Sequence, residues 1–266
     1  DNNGDLHYTF ITKIQAVNDV LVVVLNNNLQ GTEFAHPAFL RRALEAGGWT
    51  YNWWSTKDHG QFSRGYLKDF KAVYFQVGQE NYPVWTVAQK ETIKTYHDGG
   101  ARLAMTGHDI GWDTWMYSRV DTLFAKDYLK FRYIGDITAT TWNSLRGIAG
   151  DPISGAYTGG VPYQPFRSGA AGDSIRLSGT GAPGTGTYVW HGPVANDSCG
   201  IKWESTNNMG TPGDGVWGGH RTRVVTNAFE ITQIDTTNPN SPTRSDILNN
   251  MFIWLIGHDH LDVTIS

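Results

Sequence analysis

YHDGGARLAMTGHDIGWD, Tyr96 to Asp113, reads in order as a helix end, a glycine turn, a short buried strand and a second sharp turn. His97-Asp98 before Gly99-Gly100 suits a helix C-terminus, where a histidine faces the negative end of the helix dipole. Ala101 to Thr106 is the strand, and the turn after it carries His108, Asp109 and Asp113 together with two glycines. Open α/β sheets place their ligand crevice at the carboxyl ends of such strands. The fold and the candidate site therefore hang on the same eighteen residues.

Working outward, the amino-terminal side alternates strand and helix signals. Asp19 to Leu25 (DVLVVVL) is a continuous β-branched run, as expected of a strand buried on both faces of a parallel sheet. His36 to Ala46 (HPAFLRRALEA) predicts a helix with Pro37 in its first turn and Gly47-Gly48 closing it. Thr50 to Thr56 (TYNWWST) predicts a second strand, and Leu67 to Val77 holds a third that ends at Gly78. Thr86 to Tyr96 predicts an amphipathic helix capped by Thr86, with Val87, Ile93 and Tyr96 at helical spacing. Repeated β-α-β units need right-handed crossovers, which gives a doubly wound, mostly parallel sheet with helices on both faces.

Toward the carboxyl end, a helix is expected over Asp121 to Leu129. Residues 135–220 then turn rich in Gly, Pro, Ser and Thr, with strand-like pieces such as GTYVWHG and CGIKWES. Hydrophobic residues recur throughout, so this reads as an elaborated β region laid against the α/β core rather than a free linker. Regular structure returns with RVVTNAF, a strand, and RSDILNNMFIWLI, a helix with Ile247, Leu248, Met251, Trp254 and Leu255 on one apolar face. The expectation is a single domain over residues 1–266.

Composition narrows the function classes. Charged residues make up only 17% of the 266, while Gly numbers 31 and Trp 11, a balance that leans toward a secreted or cell-surface protein. A net charge of −4 without a Lys/Arg run argues against nucleic-acid binding. No apolar stretch reaches the length of a membrane span. The opening DNNGDLHY has no basic or apolar leader, so any signal peptide is expected to have been removed. Cys199 is the only cysteine, which excludes an intrachain disulfide and a multi-thiolate zinc site. Its setting, DSCGIKWES, alternates like a strand and predicts a buried thiol.

Several of these pieces line up with one family. LRRALEAGGWTYNWW, LKDFKAVYFQVGQENY, TVAQKETIKTYHDGGARLAMTGHDIGWD, GDPISG, RVVTNAFEI and RSDILNNMFIWLI occur in order. Together they resemble the class I glutamine amidotransferase-like superfamily, in the branch of secreted microbial proteins related to ThuA-like proteins. The resemblance implies a flavodoxin-like α/β/α sandwich. It also implies a cysteine at the elbow after the central strand and a late His-Glu pair. Here the elbow reads Thr106-Gly107-His108-Asp109, and the late strand ends Phe229-Glu230, so only the acidic member is matched. Glutaminase chemistry needs a thiolate and a base within hydrogen-bond reach, and both are missing at the matching positions.

His108, Asp109 and Glu230 are the candidate catalytic residues. Gly78, Gln79 and Glu80 would face them from the loop that forms the oxyanion hole in the resembling enzymes. A histidine beside carboxylates can act as an oriented base or hold a divalent ion. It can equally brace a turn by bonding the backbone, and such structural pairs are common. Trp112, Asp113 and Trp115 flank the same crevice; the two indoles could stack on a sugar or anchor a protein interface. HDH, His258 to His260, reads as a solvated end of the last helix. NNNLQGTEF lacks the Walker and Rossmann patterns, and GxSxG is absent, so no cofactor is expected and a standard serine esterase is disfavoured. The leading expectation is an extracellular binding or assembly module with a glycan or protein partner, joined to other domains of a larger secreted protein. The alternative is a hydrolase acting on glycans or peptides through the His/Asp/Glu crevice.

Overall fold

The computed structural model describes residues 19–25, 37–78, 83–117, 121–137, 143–163, 172–179, 181, 183–193, 197–210, 219–235 and 242–257. The first half alternates β1 (Val20–Val24), α1 (Pro37–Ala46), β2 (Tyr51–Ser55), α2 (Thr56–His59), α3 (Arg64–Leu67), β3 (Ala72–Gly78), α4 (Val87–Asp98), β4 (Arg102–Gly107) and the short α5 (Ile110–Trp112). π-Helical turns at Asp113–Tyr117 and Phe124–Tyr128 follow. The second half holds β5 (Phe131–Ile137), β6 (Ser144–Gly147), β7 (Val161–Pro162), β8 (Gly172–Leu177), β9 (Gly184–His191), β10 (Ser198–Met209), β11 (His220–Asn227) and α6 (Pro242–Ile256).

Nine strands form one sheet in the order β2-β1-β3-β4-β11-β10-β9-β6-β7. The first five in that order are mutually parallel. With β11 as the fifth parallel strand, the order is the 2-1-3-4-5 of flavodoxin-like sheets. Sequence and topology agree on why β1 is apolar throughout. Val20, Val22 and Val24 pack under α1 and α6 on one face, while Leu21, Val23 and Leu25 pack with Phe62, Ile93 and Phe124 on the other.

Helix ends follow their side chains. Thr86 caps α4 with a full capping box, its hydroxyl accepting from Gln89 N while the Gln89 side chain accepts from Thr86 N. Ile93 and Tyr96 are buried as the spacing predicts, but Val87 is 76% exposed. A first-turn valine lies beside the cap, outside the buried stripe. His97 also departs from expectation. It lies buried between the rings of Tyr128 and Trp203, and burial lowers its pKa despite the Asp98 hydrogen bond. It is a packing group more than a charged partner for the helix dipole. In α6, Ile247, Leu248, Met251 and Leu255 are buried, whereas Trp254 is half-buried and receives the cations of Lys202 and Arg223.

The Gly-rich region is built differently from expectation. Four of its strands (β10, β9, β6 and β7) continue the central sheet antiparallel rather than lying against it. Only β5 and β8 form a separate ribbon, and that ribbon packs on α5 directly after the elbow. Gly111 makes this approach possible. A Cβ there would stand 2.7 Å from the Tyr133 ring and 2.9 Å from the Asp173 carboxylate.

Candidate functional site

β4 lies between β3 and β11, so its carboxyl end is central in the parallel half of the sheet. Gly78 and Gly107 are register partners at the ends of β3 and β4, which brings the Gly78 turn beside His108. Gln79 and Glu80 lie outside the described residues, as do His258 to His260.

His108 points inward. It is 1% exposed, and its Nε2 lies 2.6 Å from the Tyr163 hydroxyl. That hydroxyl donates to Gln233 Oε1 at 2.6 Å, so it accepts from His108 and from the Glu230 backbone N–H at 3.3 Å. The imidazole therefore carries its proton on Nε2. Burial lowers its pKa to about 4, against an opposing hydrogen bond with Gln233, which keeps the ring neutral near pH 7.

Glu230 follows β11 and caps the 3-10 turn Ile231–Gln233. It is fully buried, and its Oε1 accepts from Thr232 N, Thr232 Oγ1 and Gln76 Nε2 at 3.2, 3.0 and 3.4 Å. Thr106 at the end of β4 ties the same turn down, donating to Phe229 O and accepting from Ile231 N. Phe229, in the place where the resemblance implies histidine, packs its ring against Tyr163 and Trp190. His108 and Glu230 thus meet through Tyr163 inside the protein, not across an open cleft.

Asp109 is the residue that turns outward. Its φ of 58° is left-handed, it stands between Gly107 and Gly111, and its carboxyl makes no capping hydrogen bond to α5. Asp and Asn tolerate that conformation better than most residues, because short polar side chains bond locally. Burial, then the charges of Asp136 and Asp113, raise its pKa to about 7. Asp113 is fully buried one turn further on, its N–H bonded to Asp109 O at 2.8 Å. Asp173, from β8, accepts from Gly111 N at 2.6 Å, and burial above all, then the charge of Asp109, pushes its pKa well above the ordinary carboxylate range. Trp112 and Trp115 are half-buried beside the turn, and the side chains of Lys126 and Arg132 lie over the Trp115 ring. Among the described residues no group of three or more His, Cys, Asp and Glu is arranged to hold a metal ion.

Cys199 sits on β10, fully buried, and burial raises its thiol well above the ordinary range. The expected strand thiol is what the structure contains. Sequence reading missed Tyr163, Gln233, Asp173 and Tyr133. They come from positions 25 to 125 residues beyond His108 and carry no local motif, so only the folded topology brings them in.

No family model matches this sequence, and no curated protein does either. Solved structures do match by shape. A protein from Thermoplasma acidophilum, described as one of the subunits of GMP synthase, superposes with TM-score 0.51 at 11% identity, over 88% of this chain and 92% of that one. A protein described as ThuA-like from Bacteroides uniformis gives TM-score 0.50 at 11% identity, over 91% and 93%. The fold is that of the glutamine amidotransferase-like and ThuA-like proteins. The same amidotransferase-like architecture matches part of a longer chain, the exo-β-1,4-mannosidase Op5Man5 from Opitutaceae bacterium strain TAV5. There the TM-score is 0.52 at 8% identity, over 89% of this chain and 36% of the mannosidase, so this chain spans about a third of that enzyme's length.

Proposed function

We propose that this amidotransferase-like chain is a binding or assembly module of a larger secreted or surface protein and does not release ammonia from glutamine. The observation that carries the reading is the state of the elbow. No thiol stands there, His108 is bonded to the buried Tyr163 hydroxyl, and the buried Glu230 carboxylate accepts from Thr232 and Gln76. Exposed apolar side chains stand on the segments around the elbow, together with the cations Lys126 and Arg132 over Trp115. Met116, Leu123 and Ile134 are the exposed ones, with Trp112 and Trp115 half-buried among them. Exposed apolar groups gathered near aromatic anchors are the composition of protein and glycan contact surfaces. A solved mannosidase that contains this architecture as a fraction of its length supports a place among other domains.

The test compares binding with turnover. Self-association by sedimentation and glycan affinity by calorimetry are measured for the parent, Trp112→Ala and Leu123→Asp. Loss of association or affinity of about tenfold with the fold intact supports the module. Glutaminase turnover by the parent would end it.

One observation favours a hydrolase as second reading: Asp109, at the elbow, has a carboxyl that titrates near neutrality and is not sealed. If such chemistry exists, Asp109→Asn should abolish turnover on a glycan or peptide panel by about a hundredfold or more. His108→Ala should act only through folding.

A further inference from the structure

A second concavity lies at the opposite end of the sheet from the elbow. β10 places Gly200 against Asn227 at the elbow end and Glu204 against Arg223 at the other, so Trp203 and Thr206 belong to the far end. There a cavity of about 580 Å³ opens between the end of β8 and the start of β9, lined among others by Ser178, Gly181, Gly184, Trp203 and Thr206. That volume is in the range of small-ligand sites.

Two glycines set its shape. Gly184 crosses the Trp203 indole so closely that a Cβ would fall 2.3 Å from the ring. Gly181, at φ +88°, lies against Lys130, and a Cβ there would be 3.0 Å from the Lys130 Nζ. Lys130 is fully buried, with its ammonium 3.9 Å from the centre of the Trp203 ring that walls the cavity. Its hydrogen bond goes to the Asp127 carbonyl, which closes the preceding π-helical turn. Among the described residues no carboxylate lies within ion-pair distance of this ammonium. Asp127 and Asp98 act on it only at longer range, and burial lowers its pKa to about 8.

A buried cation is costly unless paired, and an ammonium has three donors. One carbonyl and one indole face leave donor capacity unused, directly behind a cavity wall of glycine. Lys130 does not itself line the cavity, so engaging a bound anion requires its flexible four-carbon stem to carry the charge past Gly181.

We propose that this cavity binds a compact oxyanion (a carboxylate, sulfate or phosphate group) with Lys130 as its counter-charge. The site is remote from the elbow and stands or falls independently of the module reading.

The test is calorimetric titration of the intact chain with sodium sulfate, inorganic phosphate and glucuronate, at ionic strength fixed with chloride. Saturable one-site binding of at least one probe is expected. Lys130→Met should weaken it about tenfold or more and Lys130→Arg should largely keep it, while His108→Ala leaves it unchanged. Glucuronate binding without phosphate or sulfate binding would assign a sugar-acid carboxylate; the reverse would assign a phosphoryl or sulfuryl group. In the parent, affinity should fall several-fold from about pH 6.5 to about pH 9.5 as the ammonium is lost, which tests the idea even if Lys130→Met does not fold. No saturable heat with any probe would overturn the proposal. So would equal affinity in Lys130→Met, or a flat pH profile in the parent.

Discussion

The two ends of the parallel strands treat buried polarity in opposite ways. At the elbow end, His108, Tyr163, Gln233, Glu230 and Thr232 are linked by hydrogen bonds, Thr106 ties down the backbone of Phe229 and Ile231, and the β5–β8 ribbon closes over the turn. At the far end, Lys130 has a carbonyl and an aromatic face but no carboxylate among the described residues, beside open volume. A bonded polar network rigidifies its surroundings, whereas a buried ammonium with no carboxylate beside it, next to a cavity, is suited to receiving an anion. The end that the amidotransferase-like fold marks as a site is therefore the more closed, and the unmarked end the more open.

The sharpest way to break this contrast is at Tyr163. Its hydroxyl serves His108, Gln233 and the Glu230 N–H at once. Tyr163→Phe strands three buried groups, each worth about 1 kcal/mol or more, so a loss on the order of 3 kcal/mol is expected in denaturant titration. A loss near zero would mean that water reaches the elbow and the network is not sealed. At the far end the contrast rests on close approach. Gly184→Ala forces a Cβ into the Trp203 ring and should cost about 2 kcal/mol, as overpacking does. Gly179→Ala meets nothing within 4 Å and should stay within about 0.5 kcal/mol of the parent. Equal effects of the two substitutions would contradict the tight wall described for the cavity.

Asp109 gives a smaller, pH-dependent effect. With its folded pKa raised to about 7 by burial, Asp136 and Asp113, the protonated carboxyl is the form the fold prefers. Its contribution is full below the unfolded pKa of about 4 and is lost as pH rises through about 7. Asp109→Asn removes that loss while keeping a side chain suited to left-handed backbone. The variant should match the parent near about pH 4 and exceed it by on the order of 1–2 kcal/mol near about pH 8, after allowance for partial solvation. A gain confined to acid pH would reverse the sign and sink this account of the elbow carboxyl.

How far the sequence could be read follows from the range of each interaction. The β1 run, the Thr86 cap and the Gly47-Gly48 stop are local signals, and all appear as read. The elbow was legible too, because strand, glycine and turn are contiguous, and His108 does follow a central strand. Which elbow side chain faces outward was not legible. His108 and Asp109 are neighbours in sequence, and only the left-handed turn at Asp109 decides that the histidine is fully buried and the aspartate half-buried. The Gly-rich strands were legible as strands but not as an extension of the sheet, since antiparallel pairing of β10 with β11 is a long-range choice that no local residue encodes.

The central claim is that the elbow histidine is a neutral, sealed structural group. Titration of His108 by nuclear magnetic resonance, using ring carbon and nitrogen shifts, tests it most directly. A histidine with a lowered folded pKa contributes stability above about pH 6.5 that is lost as pH falls toward about 4. The account predicts a neutral ring protonated at Nε2, unchanged from about pH 8 down to about pH 5.5, with a midpoint of about 4. A midpoint near the ordinary value of about 6.5 in the folded protein would contradict it, and would restore His108 as an accessible base.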